Sequence, residues 1–438
     1  MTLPDTTQEL ARAEAKATIR VPYYVRALGL GVSAYLVGVH LWSWVFMGSV
    51  LLAGACDFRA LYASGYTLRT GHLHELYDFD FQSQLQRSLV KPSIRDHLVT
   101  IPFTHPPFES VFFVPFSLLP YPYAYLFFLA FNLACLTFIY RCLRPWISNL
   151  MSIYPLFPAV MFLAFLPVAA VLLIGQDSIL LLTLLAGATV LMNQNREFAA
   201  GLLVGLGVFR FQLILPIVVL FLLWRGWRFV SGVALVGGSL AGISLWMVGS
   251  PRVYLGVLDK VSSGIWAPIG WIPTLRGLIF ALGSGKMPAN WLQGLIVAVL
   301  TAALLLVAWL GRHLKPFDKF LLSIVTSTLV SYHLLIHDLS ILLVPLVVVM
   351  DRFLEAESNG ASGRVVFRLA ALLFAAPLLF SYAPLHFYLY SIPLFAFTMA
   401  FALCSSEPLS DETSIATVSQ DRQRHRCDQG KPNIFSEP

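Results

Sequence analysis

The sequence predicts an all-α polytopic membrane protein, and three observations carry that prediction. Hydrophobic residues fill 58% of the 438 positions and charged residues only 12%, about half the charged share of a soluble domain. Mean hydropathy is +0.75. The apolar residues are also gathered into runs close to the length a helix needs to cross a bilayer, about 20 residues. Water cannot accommodate so much apolar surface, whereas lipid solvates it and forces the backbone to satisfy its own hydrogen bonds within helices.

The candidate spans fall near 27–53, 108–143, 151–174, 177–193, 198–210, 211–225, 229–248, 291–310, 319–334, 338–350, 365–381 and 385–404. The second is interrupted by Pro115, Pro120 and Pro122, each of which removes a backbone donor, so it reads as one crossing built from two helices. Several other runs are shorter than a full crossing. Such pieces persist where protein or a water-filled cavity satisfies the backbone groups they free. Ten to thirteen helices are expected, some short or broken, with further helices in the external loops.

Basic loops set the orientation. With 108–143 as one net crossing, Arg141/Arg144, Arg196, Arg225/Arg228, Arg312/Lys315 and Arg352/Arg364 all share the side of the N-terminus. By the positive-inside rule that side is cytoplasmic. Segments 54–107 and 249–290 then face the other side, together with turns at Gln176, Arg210 and His333–His337. Residues 1–26 show no cleavable signal pattern and read as a cytoplasmic segment containing Arg12, Lys16, Arg20 and Arg26. Residues 27–404 form the membrane domain, and the polar, Ser-rich stretch 405–438 reads as a disordered cytoplasmic tail.

Several function classes drop out. The five cysteines include no CxxC pair and no metal-ligand spacing, so they read as small apolar residues. The net charge of +6 reflects cytoplasmic loops, and nothing supports a nucleic-acid role. No 20–50-residue repeat, no glycine-rich phosphate loop beside a strand and no soluble nucleotide-binding domain stand out. A donor bound as a nucleotide sugar in the cytosol is therefore not expected.

The first external segment is rich in chemistry. Asp57-Phe-Arg-Ala-Leu-Tyr62 follows the first helix directly, and Phe103-Thr-His105-Pro106-Pro107-Phe108 leads into the next span. A carboxylate at the membrane boundary suits general-base work, since water-soluble acceptors reach it from one side and lipid-linked donors from the other. The plainer reading is that Asp57 caps the amphipathic helix after it. Asp177 has the same two readings, helix cap or sugar ligand. Arg210 stands at a span interruption, where a guanidinium either grips a phosphate or snorkels. His333 and His337 are four apart and share a face of any continuous helix. Phosphate or sugar binding, a structural pair and a metal pair are the three readings there, the last lacking a third ligand; Asp338 adjoins them. His105 lines an acceptor entrance or simply sits at the interface. Trp266, Trp271 and Trp291 bracket the second external segment, as sugar-stacking rings or interface anchors. Arg59, two residues from Asp57, is a further candidate for phosphate.

In order and spacing these motifs resemble glycosyltransferase family 87, polyprenol-phosphate-mannose-dependent mannosyltransferases of the membrane-embedded C superfamily (GT-C). The resemblance rests on Asp57, Tyr62, Gly71, Leu76-Tyr77-Asp78 and Pro106-Pro107-Phe108, then on Gly175-Gln176 and the run Ala200-Gly201-Leu-Leu-Val-Gly205. It covers most of residues 50–350. It implies a GT-C-type helix bundle with Asp57 as catalytic base. Where the family commonly has Lys-Pro, this chain has Arg210-Phe211-Gln212, which keeps the charge and loses the proline. By this reading Arg210, His333, His337 and Arg59 bind the donor phosphate, and Tyr62, His105, Gln176, Asp338, Trp266 and Trp271 bind substrate. The expected reaction is inverting transfer of a hexosyl group, mannosyl by resemblance, from polyprenyl phosphate to a glycan or glycolipid acceptor. It would take place on the outer face of a bacterial plasma membrane. No metal or other cofactor is expected, and membrane lipid is the only further partner. The alternative is a transporter or flippase, since short discontinuous helices and buried polar residues also mark those proteins.

Overall fold

A computed structural model describes residues 23–92, 99–262, 268–354, 361–381 and 383–404. The expectations for the N-terminal segment before residue 23, for the tail after 404 and for Trp266 lie outside these residues. All regular structure among the described residues is helical. Seven helices are long and apolar enough to cross a membrane: Gly29–Leu52, Tyr121–Trp146, Glu197–Leu223, Trp227–Val248, Ala289–His313, Ser362–Phe380 and Leu385–Cys404. Phe157–Ala164 and Leu166–Ile174 form an eighth, broken span bent by 62°. Shorter apolar helices, Ser178–Asn193 and Pro316–Val330, complete the bundle.

Each interruption has a local cause. Pro167 lies in the first turn of Leu166–Ile174, where its missing N–H costs no helical bond, and the chain bends just before it. Pro115 and Pro120 split the expected 108–143 run into a short helix Glu109–Phe113, a 3₁₀ turn Phe116–Leu118 and the long helix Tyr121–Leu143. Glu197–Leu206 and Phe211–Leu223 meet through a 3₁₀ turn that ends on Arg210.

Two bodies of packing hold these pieces. The larger core centres on Pro316–Val330 and Leu343–Leu354, whose Phe320, Ile324, Leu343 and Val347 are wholly buried. The smaller is aromatic and gathers around Phe58, whose ring stacks on Phe128 at 5.0 Å beside Phe113, Phe116, Tyr121 and Tyr125. It fastens the helix Phe58–Arg69 to the bundle. Between Glu197–Leu206 and Trp227–Val248 the backbones nearly touch: a Cβ on Gly201 would lie 2.1 Å from the Phe229 carbonyl oxygen. Small residues permit that approach, a common way to pack helices in lipid. Phe46 and Trp246, at 77% and 84% exposure, turn outward from spans and suit contact with acyl chains.

Candidate active site

Residues of the segments 54–107 and 249–290 and of the three polar turns converge on one cavity of about 480 Å³. Its polar wall is formed by Asp57, His105, Gln176, Arg210, Arg276, His333, His337 and Asp338, with Leu61, Phe103, Phe209 and Phe211 supplying apolar surface.

Asp57 occupies the N-cap position of Phe58–Arg69, yet its side chain makes no capping bond. Asp78, by contrast, caps the following helix by accepting from the Phe81 N–H at 2.9 Å. The capping reading of Asp57 is thereby corrected. Its Oδ2 instead accepts from Gln176 Nε2 at 2.7 Å, and the half-buried carboxylate faces the cavity. Asp177 behaves alike. It sits at the N-cap of Ser178–Asn193 without a capping bond, because its fully buried Oδ1 accepts from Arg210 Nε at 3.1 Å and from Arg210 Nη2.

Gly175 makes this arrangement possible. It ends the helix Leu166–Ile174 in the left-handed region (φ +70°), where glycine carries no steric penalty. A Cβ there would meet the Cβ of Phe58 at 2.6 Å. The turn thus seats Gln176 and Asp177 directly beside the start of Phe58–Arg69.

Arg210 is the hub. Besides Asp177 it donates from Nη2 to Gln176 Oε1 at 2.9 Å, and its Nη1 lies 3.3 Å from Asp338 Oδ1. Asp338 also accepts from Ser178 Oγ at 3.0 Å and from the Leu335 N–H at 3.1 Å. Two buried carboxylates therefore neutralise this guanidinium, with little left for a ligand. Gln176 bridges the hub to Asp57.

His105 and Glu109 form a second pair, with Nδ1 and Oε2 2.6 Å apart, and His105 Nδ1 is 3.3 Å from Asp177 Oδ2. Burial alone would lower the imidazole pKa, but the carboxylates of Glu109 and Asp177 outweigh it and raise it to about 9. His105, Glu109 and Asp177 also bring potential metal-ligand atoms within 4.8 Å of one another. His333 and His337 are not among that group. Nor do they share a helix: His333 lies in a bend and His337 in the 3₁₀ helix Ile336–Leu342, which corrects the shared-face premise. Burial lowers the pKa of both, against the pull of Asp338.

Three expected site residues stand elsewhere. Arg59 is buried and donates to the carbonyls of Gly54 (2.9 Å) and Val99 (2.7 Å) and to Gln86 Oε1 (3.1 Å). It braces the first external segment and does not line the cavity. Tyr62 belongs to the aromatic cluster, its hydroxyl donating to the Leu119 carbonyl at 2.9 Å. Trp271 is 42% exposed and also off the cavity wall. Conversely, Glu109 and Arg276 belong to the site without having been anticipated. A signal existed for each: a carboxylate one turn after His105, and a lone cation in the apolar run Leu275–Gly283.

Fold and cavity define an integral membrane protein with a polar chamber enclosed by an apolar helical bundle. The model of glycosyltransferase family 87 matches residues 103–337, more than half of the chain, and the protein belongs to that family. It is accordingly a membrane glycosyltransferase. The match takes in His105, Gln176, Arg210, Arg276, His333 and His337 of the wall and leaves out Asp57 and Asp338. Comparisons with curated proteins and with solved structures give no match.

Proposed function

We propose that the protein transfers a hexosyl group, mannosyl by family resemblance, from a polyprenyl-phosphate sugar to an acceptor hydroxyl on the extracytoplasmic face, with Asp57 as general base. The observation that carries this reading is Asp57 itself. Its carboxylate is released from capping, held by one hydrogen bond from Gln176 and presented to the cavity. A base so placed takes the proton of the incoming hydroxyl as its oxygen attacks the anomeric carbon. The bond to the phosphate oxygen breaks in the same step, and the polyprenyl phosphate leaves with the electron pair. One displacement inverts the anomeric configuration, by the logic of the two-sided site of inverting hydrolases with a sugar hydroxyl in place of water. His333 and His337 on the same wall are candidate donors to the departing phosphate.

The positive-inside pattern supports the side of the reaction, because Asp57, His105, Gln176, Arg210, Arg276, His333 and His337 come from segments and turns assigned to the face opposite the basic loops. The experiment is to offer purified protein radiolabelled mannose on polyprenyl phosphate or on a nucleoside diphosphate, and to determine the anomer formed. Transfer from the lipid donor with inversion is expected. Transfer from the nucleotide sugar alone, or with retention, would overturn the donor or the single displacement respectively.

A further inference from the structure

Arg276 contrasts with the charge compensation found at Arg210 on the same cavity wall. Its side chain is 7% exposed and lines the chamber. Among the described residues no carboxylate lies within ion-pair distance of it. Among those residues its hydrogen bonding is a single donation, Nη1 to the Tyr332 carbonyl at 2.6 Å, and its guanidinium lies 3.7 Å from the centre of the Tyr332 ring. The buried Nε has no partner among them. Thr274, at the N-cap of the same helix Leu275–Gly283, likewise keeps a buried hydroxyl without one.

A buried cation is costly unless an anion meets it. Arg210 has two, Asp177 and Asp338; among the described residues Arg276 has none. The Tyr332 ring and carbonyl fix the plane of the guanidinium and stabilise a cation without neutralising it. His333, the next residue along, lines the same stretch of wall. Burial also depresses the Arg276 pKa, the direction expected of a guanidinium awaiting its counter-charge.

From this geometry we infer that Arg276, held by Tyr332 and flanked by His333, is the oxyanion subsite of the cavity and takes the phosphate of the lipid-linked donor. The assignment rests on the lipid-phosphate reading above and moves the phosphate contact away from Arg210. It also gives the leaving group a cation that no carboxylate among the described residues engages, so charge developing on the phosphate is met by a preorganised donor.

Binding of polyprenyl phosphate, polyprenol and inorganic phosphate to the full chain in lipid nanodiscs tests it, using native protein, Arg276→Met and Arg276→Lys. Thermal melting of each variant reports on folding. Native protein should prefer polyprenyl phosphate over polyprenol by at least about tenfold, the scale of a charge-assisted hydrogen bond. Arg276→Met should abolish that preference, and Arg276→Lys should retain part of it. A folded Arg276→Met that keeps the full preference overturns the inference. Should native protein fail to distinguish the two lipids, the lipid-phosphate reading falls. In that case inorganic phosphate bound by native protein and lost in Arg276→Met still supports the subsite with a different source of anion, and phosphate bound equally by both, or by neither, overturns it.

Discussion

Arg210 and Arg276 are equally buried, each at 7% exposure, and line the same cavity, yet their surroundings are opposite. Arg210 sits between Asp177 and Asp338 with Gln176 across its face, so its charge is cancelled and nearly all its donors are taken. Arg276 has one carbonyl and one ring. The first arrangement locks three turns together and fixes Asp57 through Gln176. The second leaves a charge available to an incoming anion. The same residue type at the same solvent exposure serves as framework in one place and as a receptor in the other, and the count of nearby carboxylates decides which.

The comparison can be broken most sharply at Arg210. Arg210→Met leaves Asp177 and Asp338 buried without their shared cation, and such uncompensated charge costs on the order of 3–5 kcal/mol. Chemical denaturation in detergent should show a loss of that size. Next comes Gln176→Leu, which removes the hydrogen bond orienting Asp57 while keeping the volume. Turnover should fall about 10- to 100-fold, as for loss of a bond to a charged group, while donor affinity stays near native; steady-state kinetics separates the two.

A smaller effect concerns pH. The folded-state pKa of His105 stands above the unfolded value of about 6.5, at about 9. The proton that His105 holds more tightly on folding therefore stabilises fully below about pH 6.5, and that contribution is lost as pH rises through about 9. The melting temperature should decline across that window in native protein, and His105→Gln should flatten the decline. Smallest of all is the stability change for Arg276→Met. Removing a buried charge that has no carboxylate partner among the described residues relieves its desolvation cost and gives up only the bond to the Tyr332 carbonyl, so melting should be nearly unchanged. A loss as large as that of Arg210→Met would erase the distinction between the two arginines.

Much of this arrangement was legible in the sequence. Apolar runs marked where the long spans lie, although those at 177–193, 319–334 and 338–350 form shorter helices, and the prolines at 115 and 120 correctly marked a divided helix. The loop charges put Asp57, His105, Gln176, Arg210 and His333–His337 on one face, and all of these meet in the cavity. What the sequence could not convey was direction. Asp57 and Asp177 both occupy cap positions, and only the Gly175 turn, which sets Gln176 and Asp177 beside Phe58, decides that their side chains serve the site. Arg59 seemed adjacent to the chemistry because it is two residues from Asp57, but on a helix that separation turns it to another face, where Gly54, Gln86 and Val99 engage it. Glu109 and Arg276 were overlooked because each is a single charge inside an apolar segment. Their importance comes from partners distant in sequence, Asp177 for one and the Tyr332 carbonyl for the other.

The central claim is that Asp57 is the base, and one comparison tests it directly. Native protein and Asp57→Asn would be assayed for mannosyl transfer from polyprenyl phosphate, and for binding of polyprenyl phosphate alone. The account predicts transfer lowered by about 10²- to 10⁴-fold, the usual contribution of a general base, with lipid-phosphate binding unchanged. Transfer at the native rate by a folded Asp57→Asn protein would contradict it and remove Asp57 from the mechanism.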